Sequence, residues 1–449
     1  MSKQLHLNAF ISANGHHEAA WRHPDTDPAN ALTLQHYADI ARIAEAGKLD
    51  SLFLADGVAL WGNVRYNSHN LFEPLTLLSA LAAVTDRIGL IATASTTYNE
   101  PYHLARKFAS LDHLSNGRAG WNIVTSAGAD EARNFNRDTR PDHELRYDRA
   151  TEFLDLVTKL WDSWEDDALA IDKTSGIFAD TDKLHTVDHA GQHFQVRGPL
   201  NTPRPVQGYP LLVQAGSSET GKEYAARFAE AVFTAQQTFA AGKAFYDDVK
   251  SRLARYGRRP DQIKILPGIS AILGATESEA RQREADLNGL INPDYGLRQL
   301  STLLDHDLFS YDLDGPLPEV GSHTEGNQSR FELITNLAKR DKLTIRQLLE
   351  RLAGGRGHRV LAGTPAQVAD EIESWFLEGA ADGFNIMPAT LPGGLTDFVQ
   401  HVVPELQRRG LFRTEYTGTT LRDHYGLARP LNQFSEQTKF SSQTKENAA

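Results

Sequence analysis

The sequence predicts an α/β protein built as a (β/α)8 TIM barrel with long insertions and a C-terminal extension. Over 449 residues, eight strand-length apolar bursts alternate with longer amphipathic segments. Alternating β and α segments make a parallel sheet, and eight such units favour a closed barrel over an open doubly wound one. Small polar residues also gather at the C-terminal ends of the bursts, where a barrel of this kind builds its site.

The elements can be justified in order. LHLNAFI (5–11) leads through a polar loop to LQHYADIARIAEAG (34–47), whose apolar residues recur at helical spacing. SLFLAD (51–56) and IGLIATA (88–94) are the next strands, and HLARKFASLDHLS (103–115) the next helix. AGWNIVTS (119–126) precedes YDRATEFLDLVTKLWDSW (147–164), in which Phe153, Leu154, Val157 and Leu160 share one helical face. PLLVQAG (210–216), EAVFTAQ (230–236), IKILPGISAIL (263–273) and DGFNIMPA (382–389) complete the strands. GKAFYDDVKSRLARYG (242–257), AQVADEIESWFLEG (366–379) and TDFVQHVVPELQRRG (396–410) complete the helices. Residues 1–431 read as one barrel domain interrupted at about 127–146, 165–209 and 275–360, and insertions that long are commonly lids or partner contacts. The polar tail NQFSEQTKFSSQTKENAA (432–449) is expected to be disordered.

Composition narrows the function classes. Lys+Arg 46 against Asp+Glu 58 gives −12, with no basic run of the kind that neutralises phosphates, so neither nucleic acid nor an anionic membrane is an expected partner. The absence of cysteine removes disulfides, thiolate metal sites and thiol nucleophiles. No apolar run reaches the roughly 18 residues of a membrane span, and the N-terminus lacks the apolar core of a secretory signal. A cytoplasmic protein acting on a small molecule is expected.

One stretch invites three readings. In LLVQAGSSETGKE (211–223) an apolar strand runs into Gly216, Gly221 and Lys222, close to a P-loop, but Glu223 stands where the Mg²⁺-binding hydroxyl is required. The stretch is then a nucleotide-hydrolysing loop, a helix capped by Ser217 or Ser218, or a helix N-terminus that holds another phosphate. No G-x-G-x-x-G is present; GGRGHRVLAG (354–363) fails at Val360. His17-Glu18 lacks its second zinc ligand because Trp21 occupies that position. His185, His189 and His193 recur every fourth residue around Asp188 and Gly191, a non-helical context. No metal is expected.

The strand ends carry Asn8, Asp56, Thr93 with Ser95, Asn122 with Thr125 and Ser126, and Ser217 with Ser218. The first loop adds His16, His17, Trp21, Arg22 and His23, aromatic and cationic surface able to stack on a planar ring. No carboxylate pair, Ser-His-Asp set or strand-buried lysine offers an acid–base engine, so a cofactor is expected to carry the chemistry.

Several long segments resemble the flavin-dependent two-component monooxygenases of the bacterial-luciferase superfamily. The similarity is to the branch of nitrilotriacetate/EDTA monooxygenase, pristinamycin IIA synthase and dibenzothiophene-sulfone monooxygenase. The segments are GHHEAAWRHP (15–24), GKLDSLFLADG (47–57), YNEPYHLARKFASLDHLSNGRAGWNIVTS (98–126), RYDRATEFLDLVTKLWDSWEDDA (146–168), FQVRGPLNTPRPVQGYPLLVQAGSSETG (194–221), ADGFNIMPATLPG (381–393) and RRGLFRTEYTGTTLRDHYGLARP (408–430). VFTAQQTFAAGKAFYDDVK (232–250) and DLDGPLPE (312–319) resemble the aminopolycarboxylate enzymes, and GHHEAAWRHP those that oxidise S-modified cysteines.

The resemblance implies reduced FMN delivered by a separate NAD(P)H:FMN oxidoreductase, O2 as cosubstrate, a homodimer or homotetramer, and oxygenation of a small substrate with C–N or C–S cleavage. An aminopolycarboxylate or S-substituted cysteine derivative is the first expectation. An aromatic sulfone, or a non-catalytic flavin-binding role, is the alternative. Carried over by position, Asp56, Thr93 and Asn122 would face the isoalloxazine, His143 and Tyr147 the ribityl–phosphate end, and Ser217 and Ser218 the phosphate. Glu219 beside that phosphate would repel it unless turned outward. On the substrate side the candidates are His17, Trp21, Arg22, Tyr98 and His103, with Arg22 as the partner for a substrate carboxylate.

Overall fold

A computed structural model of the chain describes residues 4–60, 64–66, 68, 71–321 and 328–435. Its strands are β1 (His6–Ile11), β2 (Ser51–Leu54), β3 (Gly89–Ser95), β4 (Ala119–Val124), β5 (His189–Ala190), β6 (Gln195–Val196), β7 (Leu211–Gln214), β8 (Ala231–Thr234), β9 (Lys264–Leu273), β10 (Arg359–Gly363) and β11 (Gly383–Ile386). β5 and β6 form a separate antiparallel pair; the others share one parallel sheet. Eight of them close into a ring, β1-β2-β3-β4-β7-β8-β9-β11, because β9 pairs with β8 and β11 while β11 returns to β1. Each predicted burst holds one ring strand, usually shorter than the burst because its last residues turn into the mouth loops.

β10 departs from the sequence reading. RVLAG, placed partly inside the 275–360 insertion, is a ninth parallel strand that pairs along the C-terminal half of β9, from Arg359↔Ile269 to Gly363↔Leu273. It lies outside the ring and is only half-buried over most of its length, so its apolar run is short and hard to tell from a loop.

The helices through the barrel are α1 (Leu34–Ala46), α2 (Pro74–Ala82), α3 (Pro101–Leu114), α4 (Ala129–Arg133), α5 (His143–Asp162), α6 (Glu219–Phe228), α7 (Phe239–Arg252), α8 (Glu277–Asn288), α9 (Pro293–Leu304), α10 (Gln328–Asp341), α11 (Ile345–Gly355) and α12 (Pro365–Leu377). Threonine caps start several of them: Thr33 accepts from the His36 amide and Thr238 from the Ala241 amide. α5 begins four residues before its apolar stripe, in a first turn of exposed His143, Glu144 and Leu145 and buried Arg146 that no hydrophobic period marks.

The insertions are structured. α9, α10 and α11 bury a core of their own that includes Leu300, Leu304, Phe331, Ile334 and Leu348. In the 165–209 segment the three regularly spaced histidines each take a different carboxylate: His185 Nε2 lies 2.8 Å from Glu165, His189 Nε2 2.9 Å from Glu152, and His193 Nε2 2.7 Å from Asp148. Glu152 and Asp148 lie on α5, so the spacing pins this segment to the helix rather than gathering ligands. Among the described residues no group of three or more His, Cys, Asp or Glu is placed to hold a metal ion.

Inside the ring, Phe10, Phe53 and Phe233 meet edge to face at 5.1, 5.1 and 5.5 Å. Ile91, Val213, Leu266 and Met387 complete this layer. The C-terminal extension closes the floor. Leu421 occupies the space left by Gly89 and Gly120, where a Cβ would come within 2.3 and 3.2 Å of its methyls. Asn8, expected at the mouth, belongs here: its Oδ1 accepts from Ser51 Oγ at 2.9 Å and Tyr425 Oη at 2.8 Å, and its amide donates to Asn385. It sits in the N-terminal half of β1, opposite the first residue of β2. Beneath it the buried Asp50 carboxylate accepts from the Leu7 amide at 2.7 Å, lies 3.2 Å from His6 Nδ1 and is salt-bridged to Arg413 of the extension. Burial raises the Asp50 pKa, and Arg413 and His6 outweigh that, leaving it lowered.

Asn432–Ser435, assigned to the polar tail, pack against the protein. Asn432 donates to the carbonyls of Asp162 and Trp164, and Phe434 stacks on His185 at 4.7 Å. The remainder of that tail lies outside the described residues. None of the helices among the described residues is long and apolar enough to cross a membrane.

Candidate active site at the C-terminal mouth of the barrel

The ends of β3 and β4 form one wall. Thr93 and Asn122 are register partners pointing into the ring; Asn122 Nδ2 donates to Thr93 Oγ1 at 2.8 Å, and both are buried. Asn122 Oδ1 is buried without a partner, an acceptor left open above the aromatic layer. One turn later Ser126 stands in the left-handed region (φ 51) and donates to Ser95 Oγ at 2.8 Å. Ser95 Oγ also accepts the amides of Thr97 and Tyr98. This fixes Tyr98, 8% exposed, with its ring stacked on Phe135 at 4.8 Å and its hydroxyl unpartnered.

The second wall comes from β7, α6 and α5. Ser218 caps α6, accepting from the Gly221 amide at 3.1 Å, and Ser217 Oγ lies 3.3 Å from Thr234 Oγ1 at the end of β8. The Tyr147 hydroxyl is in hydrogen-bond contact with Ser218 and Thr125, and the His143 ring lies 4.9 Å from the Tyr147 ring. Gly216 and Gly221 let the backbone approach: a Cβ on either would stand 3.1 Å from the Tyr147 oxygen, and one on Gly216 would strike the Gln214 amide at 2.3 Å. Gln214 Oε1 is a further buried acceptor without a partner. Clustered hydroxyls beside a helix N-terminus suit a phosphate monoester.

The charged residues of the P-loop-like stretch point elsewhere. Lys222 is paired with Glu219 and, at 2.6 Å, with Asp248 of α7. Glu219 also takes Arg252 at 2.7 Å, and Glu223 takes Arg252 and Tyr256. Lysine and carboxylates are thus spent on the α6–α7 surface. That turns Glu219 away from the cradle and leaves no lysine for a triphosphate.

The first loop covers the mouth and ties it to the insertion. His17 accepts the Ala19 amide at Nδ1, which places its proton on Nε2, 3.1 Å from Asn288 Oδ1 on α8. Burial lowers the His17 pKa. Trp21 Nε1 donates to the Tyr66 carbonyl at 3.1 Å, and the exposed Arg22 donates to the Leu290 carbonyl. The polar atoms of His17 and Trp21 are therefore engaged in holding loops, and Arg22 spends one donor on a carbonyl. His103 is exposed on the first turn of α3, away from buried Tyr98. Asp56, just beyond β2, is exposed at the mouth, yet partial desolvation of its carboxyl raises its pKa, with Glu73 and Glu131 adding to the rise.

Sequence reasoning missed two residues at this mouth, His358 and Arg146, and gave a third, His16, only a general place in the first-loop set. His358 stacks flat on Phe233 at 4.9 Å and, with Arg340, Arg351 and Arg359, lines a cavity of about 260 Å³ beside β8. Arg146 is buried and donates to the Ser126 carbonyl. His16 is buried with Nε2 2.9 Å from the Phe10 carbonyl. Only His16 carried a signal, as a member of the first-loop aromatic set; His358 arrives through a long insertion, and Arg146 precedes its helix's apolar stripe.

Burial, with Arg356 adding to it, lowers the His16 pKa to about 3. The unfolded chain therefore takes this proton first as pH falls, and the associated stability is lost progressively from about pH 6.5 toward about pH 3. Between pH 6.5 and 5 this group accounts for about 2 kcal/mol. Urea unfolding of wild type and His16→Gln at both pH values should show a steeper loss in the wild type; parallel losses would contradict it.

A closed parallel barrel with hydroxyls clustered beside a helix N-terminus at its C-terminal mouth, and a polar, partly unsatisfied rim, has the form of a barrel enzyme. The luciferase-like monooxygenase family model matches residues 14–382, and the chain belongs to that family. It is similar to nitrilotriacetate monooxygenase component A of Aminobacter aminovorans, 55% identical over 96% of this chain and 98% of that one. It is 50% identical to N-acetyl-S-(2-succino)cysteine monooxygenase of Bacillus subtilis (strain 168), over 97% and 99% of the two chains. Among solved structures, a riboflavin lyase with modified FMN and riboflavin superposes with a TM-score of 0.84 at 34% identity, covering 96% of this chain and 97% of that one. The protein is accordingly a monooxygenase of the luciferase-like type.

Proposed function

We propose that this protein is the oxygenase of a two-component system. It binds reduced FMN supplied by a separate NAD(P)H:FMN oxidoreductase and oxygenates a small carboxylated amine or thioether, which then loses a C–N or C–S bond. The observation that carries this reading is the cradle of Ser217, Ser218, Thr125 and Tyr147 around the N-terminus of α6, with unpartnered Asn122 and Gln214 acceptors on the same rim. Support for the substrate class comes from the nitrilotriacetate and succinocysteine relatives, whose named substrates are carboxylates built around nitrogen or sulfur. The first relative's designation as a component A accords with a second polypeptide that supplies electrons.

When bound, reduced FMN supplies the electrons that activate O2 for transfer of one oxygen atom. The chain's part is to bind, orient and exclude water. Ser217, Ser218 and the α6 amides hold the phosphate, and Tyr147 and His143 close over its ribityl side. Thr93, Asn122 and Asp56 face the ring edge, and the Phe10–Phe53–Phe233 layer with His358 keeps the barrel side dry. Hydroxylation of a carbon bearing nitrogen or sulfur gives a carbinolamine or hemithioacetal, which breaks down to an amine or thiol and a carbonyl compound. A homodimer or homotetramer in the cytoplasm completes the proposal.

Anaerobic titration should give a reduced-FMN Kd of about 10 µM or tighter, about −7 kcal/mol. With O2, a flavin reductase and a panel of carboxylated amines, thioethers and an aromatic sulfone, mass analysis should find a cleaved product from the carboxylated members. Absence of flavin binding would sink the reading. Lys222→Ala should leave reduced-FMN affinity within about twofold, since its ammonium is paired on the outer helix surface; a loss above tenfold would restore the P-loop interpretation.

A further inference from the structure

The buried arginines of this protein fall into two kinds. Arg118, 2% exposed, uses all of its guanidinium donors: Nε binds the Ser115 carbonyl, Nη1 binds Thr85 Oγ1 and the Ile88 carbonyl, and Nη2 binds the carbonyls of Ala82 and Thr85. Arg146 is 6% exposed; among the described residues its guanidinium makes a single hydrogen bond, to the Ser126 carbonyl, and its Nε has no partner. No carboxylate among the described residues forms a salt bridge with it. The nearby Glu131 spends its oxygens on the amides of Gly128 and Val58. A buried cation with unused donors is costly unless an anion completes it.

Its surroundings say which anion. Ser126, which holds the guanidinium, also binds Ser95, and Ser95 holds the Tyr98 amide, so Arg146 and Tyr98 share one wall. The unpartnered Tyr98 hydroxyl is a second unused donor there. Arg137, Arg140 and Arg146 act electrostatically on the same tyrosine, and Glu131 acts on it in the opposite sense. Tyr147, the next residue on α5, instead turns its hydroxyl to Thr125 and Ser218. The phosphate cradle and the Arg146–Tyr98 wall thus meet at the Thr125–Ser126 step, and Arg146 acts electrostatically on Tyr98 and on Tyr147 alike.

We propose that Arg146 and Tyr98 form the recognition site for a substrate carboxylate, donating to it from guanidinium and phenol, and that they select anionic over neutral substrates. This rests on the oxygenase reading above. It moves the carboxylate partner from Arg22, which is exposed and bonded to the Leu290 carbonyl, to a residue inside the wall.

Succinate is a suitable probe, titrated calorimetrically into the full-length protein, with dimethyl succinate as its uncharged control. Wild type and Arg22→Gln should bind succinate alike and the diester not at all. Arg146→Gln should weaken succinate by about 30-fold or more, Arg146→Lys should recover part of the loss, and Tyr98→Phe should weaken it by about fivefold. Reduced-FMN affinity should stay within threefold in each variant. Unchanged succinate binding in Arg146→Gln, no succinate binding in wild type, equal binding of the diester, or a loss confined to flavin affinity would each overturn the proposal. Failure of the oxygenase reading shows separately, as absence of flavin binding in the wild type while the succinate series still reports on Arg146.

Discussion

Replacing Ser217 and Ser218 together by alanine is expected to weaken reduced-FMN binding by about 1–3 kcal/mol, roughly 5- to 150-fold. Both hydroxyls face the cradle made by the α6 N-terminus and Tyr147. Their loss removes two donors to a charged group while leaving the helix amides in place. Ser218 also caps α6, so the double variant should lose about 1 kcal/mol of stability as well. Anaerobic fluorescence titration reads the first effect and a thermal melt the second. If affinity is unchanged while the melt shifts, the serines are caps and nothing more. Tyr147→Phe should act in the same direction with smaller effect, because one hydroxyl is removed and its ring contacts with His143 and Tyr224 persist.

The largest expected change in stability lies at the opposite end of the barrel. Asp50→Ala leaves Arg413 buried without its carboxylate and frees the Leu7 amide and His6, and breaking a buried pair by removing one partner costs about 3–5 kcal/mol. Arg413→Ala should cost a similar amount, and the double variant less than the sum, because the second change removes a charge already orphaned. Denaturant titrations of the three variants check this; strictly additive losses would mean that the two side chains act independently. The floor carries no expected ligand role, so variants that fold should retain flavin affinity, separating this end of the barrel from the mouth.

Much of the fold was legible in the sequence alone. The eight apolar bursts located every ring strand because a parallel barrel strand is shielded by side chains on one face and helices on the other, leaving an apolar run that survives any loop conformation. Thr93, Asn122, Ser217 and Ser218 could be placed at the mouth for the same reason: they close or follow such runs. Asn8 looked equivalent and was not, since a polar residue inside a strand does not say which end of the barrel it faces, and its partner Tyr425 lies 417 positions away. β10 was missed because a half-buried strand outside the ring has too little apolar length to stand out.

Residue type, order and period therefore determined the barrel and the strand-end hydroxyls, while the resemblance of long segments pointed to the luciferase-like family. Tertiary structure alone decided which charges were already satisfied. Glu219 and Lys222 looked like phosphate-loop residues until α7 supplied Asp248 and Arg252. Arg22, the carboxylate candidate of the sequence, stands exposed with one donor on the Leu290 carbonyl of the insertion. Arg146, unremarkable in sequence, proved to be buried with most of its donors unspent. Hydrophobic burial is patterned locally and can be read along the chain, whereas the partner of a charge is set by elements brought together across it. Which cations remain available for a ligand is accordingly a property of the folded surface.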